Sequence, residues 1–112
     1  MNAPSISSAA SAASVTYVIL TSSPGQYRTE ATEGVVPLDA YDYLYGGRHI
    51  ATFVIAMLTT PTKIRVIDEV TPDAINLIPS KFFEKFGTPD AAFQALQVLT
   101  GNGRADVQLI RR

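Results

Sequence analysis

The stretch that decides the fold is residues 35–70, VVPLDAYDYLYGGRHIATFVIAMLTTPTKIRVIDEV. Gly46-Gly47 separates two runs rich in β-branched and aromatic residues, and both central residues of a type I′ turn need a positive φ. The following run, residues 50–58, is apolar on both faces, which predicts an interior strand. Residues 63–68 then alternate, with Ile64 and Val66 inward and Lys63, Arg65 and Ile67 outward. The stretch therefore predicts three consecutive antiparallel strands.

A hairpin closed at the two glycines sets the pairing of the first two strands. Tyr45 would face Arg48 and Leu44 would face His49, and side chains alternate between the two faces from there. One face is predicted to carry Leu44, Ala51, Phe53, Ile55 and Met57. The other is predicted to carry Tyr41, Tyr43, Tyr45, Ile50, Thr52, Val54, Ala56 and Leu58.

The chain before the hairpin divides into a tail and the start of one domain. Residues 1–14, MNAPSISSAASAAS, are uncharged and rich in Ser and Ala, which predicts a disordered tail. Residues 15–112 are predicted to form a single domain. Residues 15–21 are a predicted first strand, Pro24-Gly25 suits a type II turn, and residues 26–32 are a predicted short second strand.

Three helix-start signals follow the hairpin region. Thr71-Pro72-Asp73 has a capping threonine, a proline at the first position and an acid in the first turn, and Pro79 would end that helix. Ser80 would cap a second short helix through Phe86, and residues 88–90 would open a third that ends at residues 101–103. Two apolar stripes are predicted on these helices: Phe82, Phe83 and Phe86 on the second, and Ala92, Phe93, Leu96 and Leu99 on the third.

Residues 104–110 alternate again and predict a last strand with Ala105, Val107 and Leu109 inward. The order of elements indicates an α+β fold: an antiparallel sheet of four or five strands with two or three helices on one face. The last strand would pair either with the first strand or with an edge of the central strands, and the pattern leaves both pairings open.

Composition excludes several kinds of site. The chain has no cysteine and one histidine, so thiolate chemistry, a disulfide framework and a multi-histidine metal site within one chain are excluded. A net charge of −1 and the lack of a basic cluster give no reason to expect nucleic-acid or membrane binding. No cofactor and no bound metal are expected, and a cytoplasmic location is favoured because no export signal is visible.

Three groups of residues in the sequence contain side chains that could form a chemical site. His49 could act as a general base with Asp42 orienting it and Arg48 clamping an anion, but a partly exposed histidine beside a turn is the favoured interpretation. Asp68, Glu69 and Asp73 match the spacing of no calcium loop. Residues 101–104, GNGR, close a helix, whereas a phosphate loop opens one.

The tyrosines at period two are the feature that points to a function. Tyrosine has a large apolar ring with a polar tip and is enriched at protein interfaces. The predicted contact surface consists of Tyr41, Tyr43, Tyr45, Ile50, Thr52 and Val54. The sequence thus predicts a non-enzymatic interaction module, either a homo-oligomer or an accessory subunit, with a protein partner. The alternative is a small enzyme or ligand-binding domain with a pocket between sheet and helices near His49.

Overall fold

The computed structural model describes residues 15–71, 73–101 and 103–112. They form an α+β fold in which every strand pair is antiparallel. The predicted tail, residues 1–14, lies outside the described residues. The strands are β1 (Thr16–Ser22), β2 (Tyr27–Glu30), β3 (Val35–Tyr45), β4 (Arg48–Leu58), β5 (Lys63–Asp68), β6 (Ile75–Pro79) and β7 (Val107–Arg111), and the α-helix is α1 (Pro89–Thr100).

The strands form two sheets, so the prediction of one sheet is wrong. The large sheet has the order β1-β4-β3-β7 and the small sheet has the order β2-β5-β6. β4 is paired with β1 on one edge and with β3 on the other, so β5 has no edge of β4 to join. It pairs instead with β2 and β6. The last strand, β7, pairs with β3, which decides between the two pairings left open by the sequence.

The β3–β4 hairpin has the predicted turn but a different register in its middle. Gly46 and Gly47 both have positive φ, and Tyr45 faces Arg48 as predicted. One β-bulge then shifts the register at Ile50 in β4, and a second shifts it back at Leu38 in β3. Between the bulges each β3 residue faces a residue one position later than predicted. A one-residue slip exchanges the faces of a strand, so the predicted faces are wrong for Tyr41 and its neighbours in the middle of β3.

The first predicted helix is a strand. Residues 75–79 form β6, which bonds β5 from Ile75 to Pro79. The apparent start signal belongs to a turn: the carboxylate of Asp68 accepts the amides of Val70 and Thr71 at 2.7 and 3.0 Å. Pro72 lies outside the described residues. The turn places residues 75–79 alongside β5, so they pair with β5 instead of forming the predicted helix.

The second predicted helix is reduced to a single 3₁₀ turn, Ser80–Phe82. Phe83 is already extended, and Phe86 forms an isolated bridge with Tyr17 of β1. The predicted stripe of Phe82, Phe83 and Phe86 is therefore wrong. Phe82 is exposed, while the other two pack against different parts of the core.

The third predicted helix is confirmed as α1. The hydroxyl of Thr88 accepts the amide of Ala91 at 3.1 Å, and Gly101 ends the helix in the left-handed conformation. Ala92 and Leu96 are buried as predicted. Leu99 is 70% exposed, so its inward placement was wrong; Thr100 is buried near the end of the helix instead.

Two side chains of the later strands also differ from the prediction. Ile67 of β5 is buried, because Arg28 and Ile75 flank it on the two neighbouring strands. Ala105 is exposed, since β7 begins only at Val107.

The core has two layers, one on each side of the large sheet. We call these the helix side, covered by α1, and the small-sheet side. β4 supplies both, because its side chains alternate and Ile55 and Ala56 are both buried. The helix-side core contains Tyr41, Ala51, Phe53, Ile55, Ala92 and Leu96, and the small-sheet core contains Val18, Leu20, Val35, Ala56, Leu58 and Ile64. Among the described residues, no helix is long and apolar enough to cross a membrane.

A matched pair of leucines on α1 tests this packing. Leu96 is fully buried and Leu99 is 70% exposed. We expect Leu96→Ala to lower the free energy of unfolding by about 2–5 kcal/mol, because it leaves a cavity in the helix-side core. Leu99→Ala is expected to change it by about 0.5 kcal/mol or less. Denaturant unfolding of both variants measures the difference, and equal losses would contradict this placement of α1.

Candidate functional site

Two of the three tyrosines in the row Tyr41, Tyr43 and Tyr45 pack into the core of the chain itself. Tyr41 is only 8% exposed, and its ring centroid lies 5.1 Å from that of Phe93 on α1. The ring centroids of Tyr43 and Phe53 lie 6.2 Å apart. Of the three tyrosines, only Tyr45, next to the turn, is exposed. The cause is the register shift, which pairs Tyr41 with Phe53 and so turns the row toward the helix.

The six residues of the predicted contact surface do not share one surface. Tyr41, Tyr43 and Tyr45 belong to the helix side, whereas Thr52 and Val54 belong to the small-sheet side. Ile50 occupies the bulge between them and is exposed.

A polar cluster forms where the sequence placed its candidate catalytic residues. Asp42 Oδ1 accepts hydrogen bonds from Thr52 Oγ1 at 3.1 Å and from Arg112 Nε at 2.9 Å. His49 Nε2 lies 3.3 Å from the same carboxylate oxygen and 2.9 Å from Thr52 Oγ1. The predicted contact between His49 and Asp42 is therefore present. Arg48 faces Tyr45 on the other side of the sheet and does not join them.

The geometry of this cluster differs from that of a catalytic histidine in one respect. A catalytic histidine presents one ring nitrogen to a nucleophile while a carboxylate holds the other nitrogen. Here the carboxylate and the hydroxyl both contact Nε2 of His49. Asp42, His49 and Thr52 line none of three depressions on the part of the surface that the structure describes. The cluster ties Arg112, at the end of β7, to the hairpin.

The other two candidate clusters also have structural roles. The carboxylate of Asp68 holds the turn before β6, and Glu69 Oε1 accepts the amide of Gly25 at 2.9 Å. No group of three or more acidic or histidine side chains suited to a metal occurs among the residues that the structure describes. Gly101 closes α1, as the turn interpretation of residues 101–104 predicted.

A depression of about 250 Å³ adjoins the 3₁₀ turn and is lined in part by Ser80, Lys81 and Lys85. Lys85 Nζ already donates to the carbonyls of Ser80 and Phe83 at 2.7 and 3.0 Å. Ser80 Oγ accepts the amide of Thr62. These hydrogen bonds hold the connection after β6.

Sequence reasoning missed the feature with the clearest capacity to bind, the outer edge of β6. Ser80 N donates to Thr62 O at 2.8 Å and Asp68 N donates to Ala74 O at 3.0 Å. In an antiparallel pair, every second residue of a strand forms backbone hydrogen bonds to the same neighbour. Residues 74, 76, 78 and 80 therefore form the backbone hydrogen bonds to β5. The N–H and C=O groups of Ile75 and Leu77 therefore point outward, and nothing among the described residues pairs with them.

The side chains along this edge offer no protection against pairing. Ile75 and Leu77 are 50% and 53% exposed, and residues 74–79, AINLIP, carry no charge. Proteins normally guard an edge strand with a charge, a proline or a bulge. β6 pairs with β5 without a bulge, and its proline stands at the very end, at Pro79.

The remaining outer edges are covered or charged. Tyr17 of β1 exchanges two backbone bonds with Phe86, and β2 is held against β1 by Thr29. β7 ends in Arg111 and Arg112, and Arg111 pairs with Asp39. Within the part of the chain that the structure describes, β6 is thus the least protected edge.

A signal for this edge does exist in the sequence. Residues 74–78 form a short run with two isoleucines and no charge, which favours a strand. The capping pattern at residues 71–73 conceals it, because the same residue types open helices and make turns.

The Tyr41 side chain provides a test of the helix-side packing. Burial raises the pKa of Tyr41 above its ordinary value of 10.0, and the Asp39 carboxylate adds to this, while Arg111 opposes it. A raised pKa in the folded state means that the stabilisation is complete below about pH 10 and is lost as the pH rises through the folded pKa. We expect Tyr41→Phe to lose less unfolding free energy than the wild type above this pH. Denaturant unfolding across the alkaline range measures it.

The matched control is Tyr45→Phe, because Tyr45 is 46% exposed and belongs to the same strand. It is expected to keep the wild-type loss of stability at alkaline pH. Equal behaviour of the two variants would contradict the burial of Tyr41.

Comparisons of this chain with protein-family models, with curated proteins and with solved structures each found no match.

Proposed function

We propose that this chain is a non-enzymatic, cytoplasmic protein-interaction module, a homo-oligomer or an accessory subunit, that binds a partner strand along β6. The observation that carries the proposal is the outer edge of β6, where the outward backbone groups of Ile75 and Leu77 and their exposed side chains coincide.

Strand addition suits this edge for two physical reasons. Backbone hydrogen bonds to an added strand supply affinity, and alternate side chains supply specificity. On β6 the outward N–H and C=O groups of Ile75 and Leu77 offer four hydrogen bonds, and both side chains belong to the same face of the small sheet as Arg65. An added strand would cover their apolar surface as well as bond the backbone.

The catalytic alternative has less support. His49, Asp42 and Thr52 bond one another, and Arg112 completes the group. The depression beside Ser80 and Lys85 and two others on the described surface are lined by neither His49 nor Asp42. We therefore propose the interaction function alone and assign this cluster the role of linking Arg112 to the β3–β4 hairpin.

Blocking the edge tests the proposal. Leu77→Glu places a charge on the edge beside Arg65, its cross-strand neighbour, so the fold of the small sheet should be kept. The wild-type chain is expected to run heavier than a monomer, either when pure or in an extract of the cells that make it. Leu77→Glu is expected to run as a monomer in both, as measured by light scattering and native gels.

The matched control is Leu99→Glu, the same substitution at an exposed leucine on α1. It is expected to keep the wild-type mass. A second variant, Leu77→Pro, removes an outward amide that bonds nothing in β5 and should also give the monomer. A wild-type chain that is monomeric both when pure and in extract would overturn the proposed function.

A further inference from the structure

We infer that the strand added to β6 is β6 of a second copy of this chain, antiparallel to the first, with the two-fold axis at Asn76. This inference rests on the proposed function, since it names the partner at the same edge. Three properties of β6 support it: the positions of its outward backbone groups, the match between its side chains, and the charges at its two ends.

The backbone groups fit this two-fold pairing. With Asn76 opposite Asn76 of the second copy, Ile75 faces Leu77 on each side of the axis. Outward-pointing residues that face each other in an antiparallel pair exchange both N–H···O=C bonds. The two copies thus form four hydrogen bonds, which use every outward N–H and C=O of Ile75 and Leu77. Pro79, which has no N–H, falls beyond these bonds.

The register centred on Leu77 is less favourable. Placing Leu77 opposite Leu77 would bring Ile75 opposite Pro79 of the second copy. The proline ring would then stand where the Ile75 carbonyl needs a donor, and that carbonyl would lose its partner in both copies. In the register centred on Asn76, every outward N–H and C=O of Ile75 and Leu77 has a hydrogen-bond partner.

The side chains match in the same register. Ile75 and Leu77, half-exposed in one copy, each meet the other residue across the axis, and apolar cross-strand pairs stabilise a sheet. Asn76 is exposed and meets its own copy on the opposite face of the small sheet. Its amide group can both donate and accept, so two facing asparagines can bond each other.

The charges select the antiparallel direction. The start of β6 adjoins Asp68, Glu69 and Asp73, which are offset only by Arg28 next to Glu69. The end of β6 adjoins three lysines, and Glu84 is the acidic residue nearby in the sequence. Lys63 faces Pro79, Lys81 follows the strand, and Lys85 donates a hydrogen bond to the carbonyl of Ser80. Antiparallel pairing brings the acidic end of each copy to the lysine end of the other. Parallel pairing would set like charges together.

Cysteine cross-linking tests the register, because the wild-type chain contains no cysteine. Residues that face each other in a non-hydrogen-bonded antiparallel pair have Cα atoms about 4.5 Å apart, within the disulfide range of about 4.4–6.8 Å. Asn76→Cys is therefore expected to convert to a covalent dimer under mild oxidation, and Leu99→Cys, at an exposed site on α1, is the control expected to remain monomeric.

Leu77→Cys distinguishes the two registers. In the register centred on Asn76, the two cysteines at position 77 are diagonal neighbours about 7–8 Å apart, so they should cross-link at least severalfold more slowly than Asn76→Cys. Faster cross-linking of Leu77→Cys would overturn the inferred register.

Charge reversal tests the antiparallel direction. Lys81→Glu is expected to weaken the dimer roughly tenfold, because it places like charges at both ends of the pairing. Adding Asp73→Lys to Lys81→Glu restores opposite charges between the copies and is expected to restore most of the association. Sedimentation of the three proteins at low salt measures this, and a double variant no better than Lys81→Glu would contradict the inference.

The failure of this inference is distinguishable from that of the proposed function. A pure chain that is monomeric, does not cross-link at position 76, and yet is heavy in extract in a Leu77-dependent way has another protein at β6. That result overturns self-pairing and supports the interaction module. A chain that is monomeric when pure and in extract overturns both.

Discussion

The fold depends on β4 being used completely, on both edges and on both faces. Its edges are paired with β1 and β3, and its alternating side chains enter the core under α1 and the core under the small sheet. Because β4 has no free edge left, the next strand cannot pair with it, and β5 pairs with β2 and β6 instead. The small sheet, and with it the edge of β6, is a consequence of that occupancy.

The sequence predicted the elements better than their partners. Alternation and turn chemistry identified β1, β2, the β3–β4 turn, α1 and the last strand, because these signals are local. The separation into two sheets depends on which strands pair with the edges of β4, and no local sequence pattern carries that information. The helix predicted after residue 71 failed for a similar reason: a turn and a helix start share the same residue types, and only the neighbouring β5 decides between them.

The candidate site shows the same limit at the scale of one residue. The contact of His49 with Asp42 was predictable, because it lies close to the turn that fixes the register. The placement of Tyr41 was not, since it lies between two bulges that shift the pairing by one position and then restore it. Bulges have weak sequence signals, yet here they turn Tyr41 and Tyr43 from the predicted contact surface toward the helix-side core.

The unequal protection of the sheet edges also limits how large an assembly can become. A fibre of β-strands needs two open edges on every molecule, so that each copy can accept one neighbour and offer itself to the next. In the described part of this chain, Phe86 and Thr29 bond the outer edge of β1 at its two ends, and Arg111 and Arg112 place charge at the end of β7. A molecule with one open edge ends growth as soon as that edge is occupied. The uncharged run along β6 can therefore remain exposed without leading to a polymer.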